Sequence, residues 1–290
     1  MPMPRDIGVI DLMMGIPAGD PRRWYDFLRT QLLDRESRED FEFPAEYMFK
    51  NVPKFDVPDD PVRFLLDHMD KHGVEKAMIG VSSRNEAGIR AMKDYPDRFF
   101  GSFEVDPNLG MEAVRELQRA VEELGVKAAT AFPAGLNPQV AINDKKFYPI
   151  YAKCIELDIP ICVCAGVPGP RVPFAPQYVG HIDEVCWFFP ELKFVTRHGC
   201  EPWADLAMKL MLKWPNLYYS TSAFAPKYYP KEIIHFANTR GADKVMYAGY
   251  FPMGLSLDRI FSEMPDVPFR DHVWPKFLRE NAVRVFKLDA

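Results

Sequence analysis

The chain lacks the features that would place it in a membrane or on a nucleic acid. No stretch approaches the roughly 18 consecutive apolar residues of a membrane-spanning helix. The first residues, MPMPRDIGVID, lack a cationic segment followed by an apolar run. The net charge of -5 supplies no basic surface, and basic residues do not cluster with aromatic ones. We therefore expect a cytoplasmic protein that has neither a membrane nor a nucleic acid as its partner.

Cysteine is also scarce, and its spacing is not that of a disulfide framework. The 290 residues include 5 cysteines, an odd number, and no CxxC pair occurs among them. Most of these positions lie inside apolar runs, so the pattern indicates reduced thiols, as in the cytosol.

The composition is that of an ordinary globular protein with ample material for a core. Hydrophobic residues make up 48%, aromatic residues 13% and charged residues 27%. A length of 290 residues is close to the roughly 250 that are typical of a closed α/β barrel. The 27 prolines are scattered and do not form a linker, which favours one domain over residues 1–290.

Short apolar runs alternate with longer amphipathic stretches, which is typical of repeated βα units on a parallel sheet. The predicted strands cover residues 7–13, 76–81, 99–105, 126–132, 160–164, 193–198, 217–222 and 244–248. The predicted helices cover residues 61–72, 86–94, 111–124, 146–157, 177–188, 202–214, 230–239, 257–263 and 273–286. Eight such units with right-handed crossovers close into a (β/α)8, or TIM, barrel. A doubly wound open sheet is the competing interpretation, but neither GxGxxG after the first strand nor GxxxxGK[ST] occurs.

Residues 17–58 interrupt this alternation between the first strand and the first barrel helix. In a barrel, the loop after a strand lies over the carboxyl-terminal mouth, where active sites form. An insertion of this length therefore predicts a lid or a pocket wall. A contact between subunits, for instance in a homodimer, is an alternative that is compatible with it.

The ends of the predicted strands are the positions from which a barrel draws its chemistry. Most residues there are small or neutral, and the charged exceptions are Arg84, Glu104, Arg197, His198 and Glu201. An imidazole titrates near neutrality, so His198 is the leading candidate for an acid/base group. Arg197 is a candidate for binding a substrate carboxylate, with a salt bridge to Glu201 as the alternative. Glu104 is either a second acid/base group or a helix cap, and Arg84 is either a ligand contact or a solvated loop residue.

Several motifs in the second half of the chain occur in a characteristic order. They are KFVTRHGCEPWADL, then the segment from KWPNLYYSTSAF to AGYFP, and finally RENAVRVFKL. Together with the first strand, residues 160–288 resemble the amidohydrolase-related barrel hydrolases and decarboxylases, the group that includes aminocarboxymuconate-semialdehyde decarboxylase. The resemblance implies a (β/α)8 barrel, usually one divalent metal, and small ring-derived carboxylic substrates.

The sequence departs from this family at the metal ligands. The Asp-x-His-x-His of strand one reads DLMMG from Asp11, which leaves Met13 and Gly15 in the histidine positions. Cys164 occupies the strand-five histidine position and Tyr250 the strand-eight aspartate position. These residues cannot supply the three or four donors that a divalent ion needs. We expect neither a metal nor another cofactor.

His198 alone retains a functional position of the family, which in the decarboxylases carries an acid/base histidine. The leading hypothesis is a metal-independent hydrolase of a small ring-derived carboxylic, lactone or ester substrate. His198 would be its general base, and Tyr250 would either stabilise the oxyanion or simply fill the volume of the lost metal. The remaining predicted substrate-binding positions are Met13, Gly15, Arg84, Glu104, Cys164, Arg197, Glu201, Ser222 and Lys227.

Two other functions remain open at this point. The first is decarboxylation, or hydration, of a conjugated keto acid that serves as its own electron sink. The second is a barrel without activity that binds a small molecule or a partner subunit. Cys164 is a weaker candidate for a nucleophile, because apolar surroundings raise the pKa of a thiol.

Overall fold

Eight short apolar runs form eight parallel strands, each hydrogen-bonded to the next in chain order. The computed structural model describes residues 3–20, 23–39, 43–82 and 85–289. The strands are β1 (Val9–Met14), β2 (Val74–Gly80), β3 (Phe99–Glu104), β4 (Ala128–Ala131), β5 (Ile161–Cys164), β6 (Phe194–Arg197), β7 (Leu217–Ser220) and β8 (Val245–Met246).

Hydrogen bonds between β1 and the segment after β8 close the sheet into a barrel. Met14 pairs with Phe251 in a parallel bridge, and the Gly15 amide donates to the Phe251 carbonyl at 2.9 Å. Asp11 contributes a side-chain link, because its Oδ1 accepts the Gly249 amide at 2.8 Å. The predicted (β/α)8 barrel is therefore confirmed.

Helices cover the outside of the barrel, between successive strands and after the last one. They are α2 (Pro61–His72), α3 (Glu86–Asp94), α4 (Met111–Leu124), α5 (Tyr148–Glu156), α6 (His181–Phe188), α7 (Ala204–Lys213), α8 (Lys231–Thr239) and α9 (Leu257–Glu263). A π-helical turn, Lys276–Glu280, leads into α10 (Asn281–Phe286), and the short α1 (Arg35–Glu39) lies in the insertion. None of the helices in the described part of the chain has the length and apolar content needed to cross a bilayer.

The best predicted helices have strong local signals at both ends, as α2 illustrates. Asp60 Oδ1 accepts the amides of Val62 and Arg63, both at 3.1 Å, and Pro61 occupies the first helical position. Gly73 ends the helix in the left-handed region at φ 68°.

The interior of the barrel is packed at the amino-terminal end of the strands and open at the other end. Inward side chains such as Ile10, Met78 and Phe100 form one cluster with Val285 and Phe286 of α10. The Phe100 and Phe286 rings lie 5.7 Å apart. Because α10 packs against this end, the carboxyl-terminal mouth is where a ligand can enter.

The insertion, residues 17–58, lies over that mouth and is attached to the loops after β4 and β5. Leu28 and Leu32 are fully buried and pack against Phe132 and Val172. Gln31 Nε2 donates to the Gly135 carbonyl at 2.7 Å. A similar bond at 2.7 Å joins the hydroxyl of Tyr47 to the carbonyl of Gly169. Whether the segment acts as a lid stays a prediction.

Candidate active site

A cavity of about 1490 Å³ opens at the carboxyl ends of the strands, between the barrel and the insertion. It brings together most of the residues that the sequence singled out. Those that line it are Met13, Gly15, Glu104, Cys164, Arg197, His198, Glu201 and Tyr250.

Three predicted site residues have a different placement. Ser222 is fully buried behind the cavity wall and contacts His198. Lys227 is exposed outside the cavity, with its Nζ 3.5 Å from Glu263 Oε1, so the structure does not support it as a carboxylate-binding residue. Arg84 lies outside the described residues.

Ser222 holds His198 in place at the end of β6. Its Oγ accepts the His198 backbone amide at 2.9 Å and lies 3.3 Å from the ring Nδ1. The ring also has a hydrogen bond with the Ser222 backbone, so this residue contacts the imidazole through two of its groups. His198 itself adopts a left-handed φ of 63°, an uncommon conformation for a residue other than glycine.

The surroundings of His198 keep its imidazole neutral. Burial disfavours the charged ring, and the neighbouring Arg197 guanidinium acts in the same direction, so the pKa falls to about 3. This differs from the expectation of a base that titrates near neutrality. A neutral imidazole is a weak base, but its one N–H is an effective donor to a carbonyl oxygen.

Arg197 brings an unneutralised positive charge into the cavity. Its guanidinium makes no hydrogen bond or ion pair with any described residue, and its Nε is buried without a partner. The alternative salt bridge to Glu201 is therefore not formed. An arginine in this state can bind a carboxylate through two parallel hydrogen bonds.

Glu104, at the end of β3, places a carboxyl group in the same cavity. Its side chain is accessible from the cavity, yet protein surrounds it on the other sides, and this desolvation raises its pKa. The Arg197 charge opposes part of the shift, which shows that the two groups are within electrostatic range of each other. A carboxyl group with a raised pKa suits proton transfer near neutral pH.

Tyr250, after β8, stands between His198 and the insertion. Its ring lies edge-on to the His198 ring at 5.5 Å and stacks on Phe49 at 5.6 Å. Burial raises the pKa of Tyr250 to about 12, although a hydrogen bond from Tyr25 partly opposes the shift. The phenol therefore stays protonated and can donate its hydrogen bond into the cavity.

Sequence reasoning missed several polar side chains of the cavity wall, among them Thr130 and Gln177. Thr130 lies within β4, where it is the one polar residue among three alanines, and that contrast was the available signal. Gln177 is fully buried and ties two loops together, since its Nε2 donates to Gly166 and its Oε1 accepts from Ala134. It precedes a helix in the chain, and no local pattern indicates that it faces the cavity.

The donor set at the cavity does not fit the divalent metal that the family resemblance implies. Burial raises the pKa of the Cys164 thiol to about 12, so the thiolate that a metal or a nucleophilic reaction requires is disfavoured. A side chain at Gly15 would place its Cβ 2.6 Å from Met253 Sδ. Across the described ranges, no three His, Cys, Asp or Glu side chains are grouped so that they could hold an ion.

The family model described as Amidohydrolase matches residues 20–288. The chain therefore belongs to the amidohydrolase family. The family, the barrel and the position of the cavity at the strand ends agree with the resemblance drawn from the sequence motifs.

Individual relatives are distant. A 2-keto-4-carboxy-3-hexenedioate hydratase from Sphingobium sp. is 26% identical over 132 residues, which is 40% of this chain and only 39% of that protein. An uncharacterized TIM-barrel protein from Bordetella bronchiseptica superposes with a TM-score of 0.74 at 21% identity, over 97% of this chain and 99% of its own. A 5-carboxyvanillate decarboxylase from Novosphingobium aromaticivorans, complexed with manganese and 4-hydroxy-3-methoxy-5-nitrobenzoic acid, has a TM-score of 0.69 at 18% identity, over 98% and 97%. At these identities the two structures show a shared fold.

Proposed function

We propose that this chain is a lyase of the amidohydrolase family that adds water to a conjugated keto acid, or removes it, without a metal. The observation that carries the proposal is the unpaired Arg197 guanidinium in one cavity with the neutral His198 and the carboxyl group of Glu104. A hydratase among the sequence relatives supports the same reaction class.

Each group has a defined task in this reaction. Arg197 binds the substrate carboxylate and sets its orientation. A ring N–H of His198 and the Tyr250 hydroxyl donate to the carbonyl oxygen, so the conjugated double bond becomes electron-poor at its far carbon.

Water then attacks that carbon, and the electron pair of the double bond moves towards the carbonyl as an enolate. The Glu104 carboxylate accepts the proton that the attacking water releases, and it then transfers a proton to the carbon next to the carbonyl. The conjugated carbonyl is itself the electron sink, so the step balances without an added oxidant or reductant.

Hydrolysis of a lactone or ester is the second candidate, since the same two donors would stabilise a tetrahedral oxyanion. Glu104, not His198, would then activate the water, because the low pKa of His198 makes its ring a poor base. Decarboxylation would use the same carbonyl donors, with the carbon–carbon bond electrons entering the conjugated system and Glu104 supplying the proton.

The proposal is tested by following the ultraviolet absorbance of conjugated 2-oxo-3-enoic acids and, in parallel, of lactones. We expect Glu104→Gln to lower kcat by about 100-fold or more, which is the typical contribution of an acid/base group. Arg197→Met should mainly raise KM, and Lys227→Met is the matched control, because Lys227 lies outside the cavity. Full activity of Glu104→Gln, or turnover of lactones alone, would contradict the hydration mechanism.

A further inference from the structure

The cavity is larger and more apolar than a small keto acid requires. Its volume of about 1490 Å³ exceeds the roughly 300–1,000 Å³ of most small-molecule sites. The polar groups that bind and react, Glu104, Arg197 and His198, lie at the strand ends, on the floor of the cavity. The remaining space extends upward between the insertion and the loops.

Aromatic rings line the middle of this space. Phe43 and Phe49 of the insertion lie 5.3 Å apart, and the Tyr250 ring is 6.3 Å from Phe43. Tyr25 connects Phe43 to Phe27, which meets Phe132 edge-on at 6.3 Å. The insertion therefore presents an apolar wall directly above the charged floor.

Large apolar side chains also surround the mouth and stay exposed. They come from the insertion and from the loops after β5 and β7, and they line the same cavity. Their exposed fractions are 50% for Phe27, 56% for Met48, 49% for Val167 and 51% for Tyr228. Exposed apolar groups at the lining of one cavity favour the binding of an apolar ligand there.

We infer that the substrate is a carboxylic acid with a long apolar extension: the carboxylate binds at Arg197 and the extension passes the aromatic wall to the mouth. This inference rests on the proposed function for the carboxylate end. It adds that Phe27 and Met48 determine specificity for the far end of the molecule. The extension would cover the apolar side chains around the mouth, which are exposed in the free protein.

Calorimetric titration with straight-chain 2-oxo acids, from 2-oxobutanoate to 2-oxodecanoate, tests this assignment. Each buried methylene contributes a fixed increment of hydrophobic free energy, so we expect Kd to fall by roughly fourfold for each carbon added. Kd should stop falling once the acid is long enough for its end to pass the cavity mouth into water.

Variants separate the two ends of the substrate. The double variant Phe27→Ser, Met48→Ser should weaken binding of the longest acids while the Kd of 2-oxobutanoate stays unchanged. Leu33→Ser is the matched control, because Leu33 belongs to the same insertion and is 74% exposed but does not line the cavity. Arg197→Met should weaken all the acids by a similar factor.

The possible failures are distinguishable. Binding of the short acids with no dependence on chain length would overturn the apolar extension and leave the proposed function in place. Binding that is insensitive to Arg197→Met would overturn the carboxylate site and, with it, the proposed function.

Discussion

His198 is the residue whose chemistry depends most on its neighbours. Burial and the Arg197 charge lower its pKa to about 3, so the native ring stays neutral while the ring of the unfolded chain protonates below about pH 6.5. We expect ring chemical shifts of His198, measured by NMR, to stay constant from pH 8 to pH 5. His198→Asn identifies the resonance. A titration midpoint between about 6 and 7 would restore the general-base role.

The same lowered pKa has a consequence for stability. The unfolded chain binds a proton at His198 more readily than the native protein does. The contribution of His198 to the unfolding free energy is therefore constant above about pH 6.5 and decreases as the pH falls below that value. The acid limb of the stability profile should therefore be less steep in His198→Asn than in the wild-type protein.

Asp11 has the opposite effect, because its contribution lowers the unfolding free energy as the pH rises. Burial raises its pKa to about 6, against the hydrogen bonds from the Gly249 and Met13 amides. The unfolded carboxyl ionises near pH 4, so the unfolding free energy falls as the pH rises through the interval from about 4 to 6 and stays lower above it. Asn at this position keeps an oxygen to accept both amides and removes the buried charge.

We therefore expect Asp11→Asn to stabilise the protein, relative to wild type, by about 1 kcal/mol more at pH 8 than at pH 5. Urea unfolding at the two pH values measures the difference. Asp59→Asn is the control, because Asp59 is exposed and precedes the cap of α2. An identical pH dependence in Asp11→Asn and wild type would contradict the raised pKa.

Among the elements, the insertion is attached to the barrel loops through an arginine with two acidic partners. Arg171, in the loop after β5, contacts Asp34 Oδ2 and Glu36 Oε2, both at 2.8 Å. These pairs are partly exposed, so salt screens them. Their loss should loosen the insertion without unfolding the barrel.

Hydrogen exchange measures this directly. Arg171→Gln should accelerate exchange of the amides from residue 28 to 38, and high salt should produce a similar change in the wild-type protein. Arg35→Gln is the matched control, because the Arg35 ion pair with Glu39 stays within α1. Unchanged exchange in Arg171→Gln would show that apolar packing alone holds the segment.

At the scale of the whole molecule, the barrel retains the architecture of its family and departs from it in the donors at its mouth. We expect the purified protein to contain well under one equivalent of zinc, manganese or iron, because Cys164 and Tyr250 stay protonated and Met253 crowds Gly15. Elemental analysis before and after treatment with a chelator provides the measurement. One tightly bound metal per chain would contradict the expectation.

The sequence by itself determined the order and type of the elements. Helices such as α2 and α4 were predicted to the residue because caps, glycines and apolar spacing are local signals. The strands were predicted within a few residues: β1 begins at Val9, not at residue 7, because the ladder to β2 sets its start. The location of the cavity followed from the rule that barrel strands end at one face.

Only the tertiary structure decided the state of the groups inside that cavity. Ser222 reaches His198 from 24 residues away in the chain, and the Asp11 bond to Gly249 spans 238 residues. Burial of His198 and the unpaired state of Arg197 likewise exist only once the barrel has closed and the insertion covers its mouth. Desolvation and Coulomb interactions depend on distances in space, and no local sequence pattern encodes those distances.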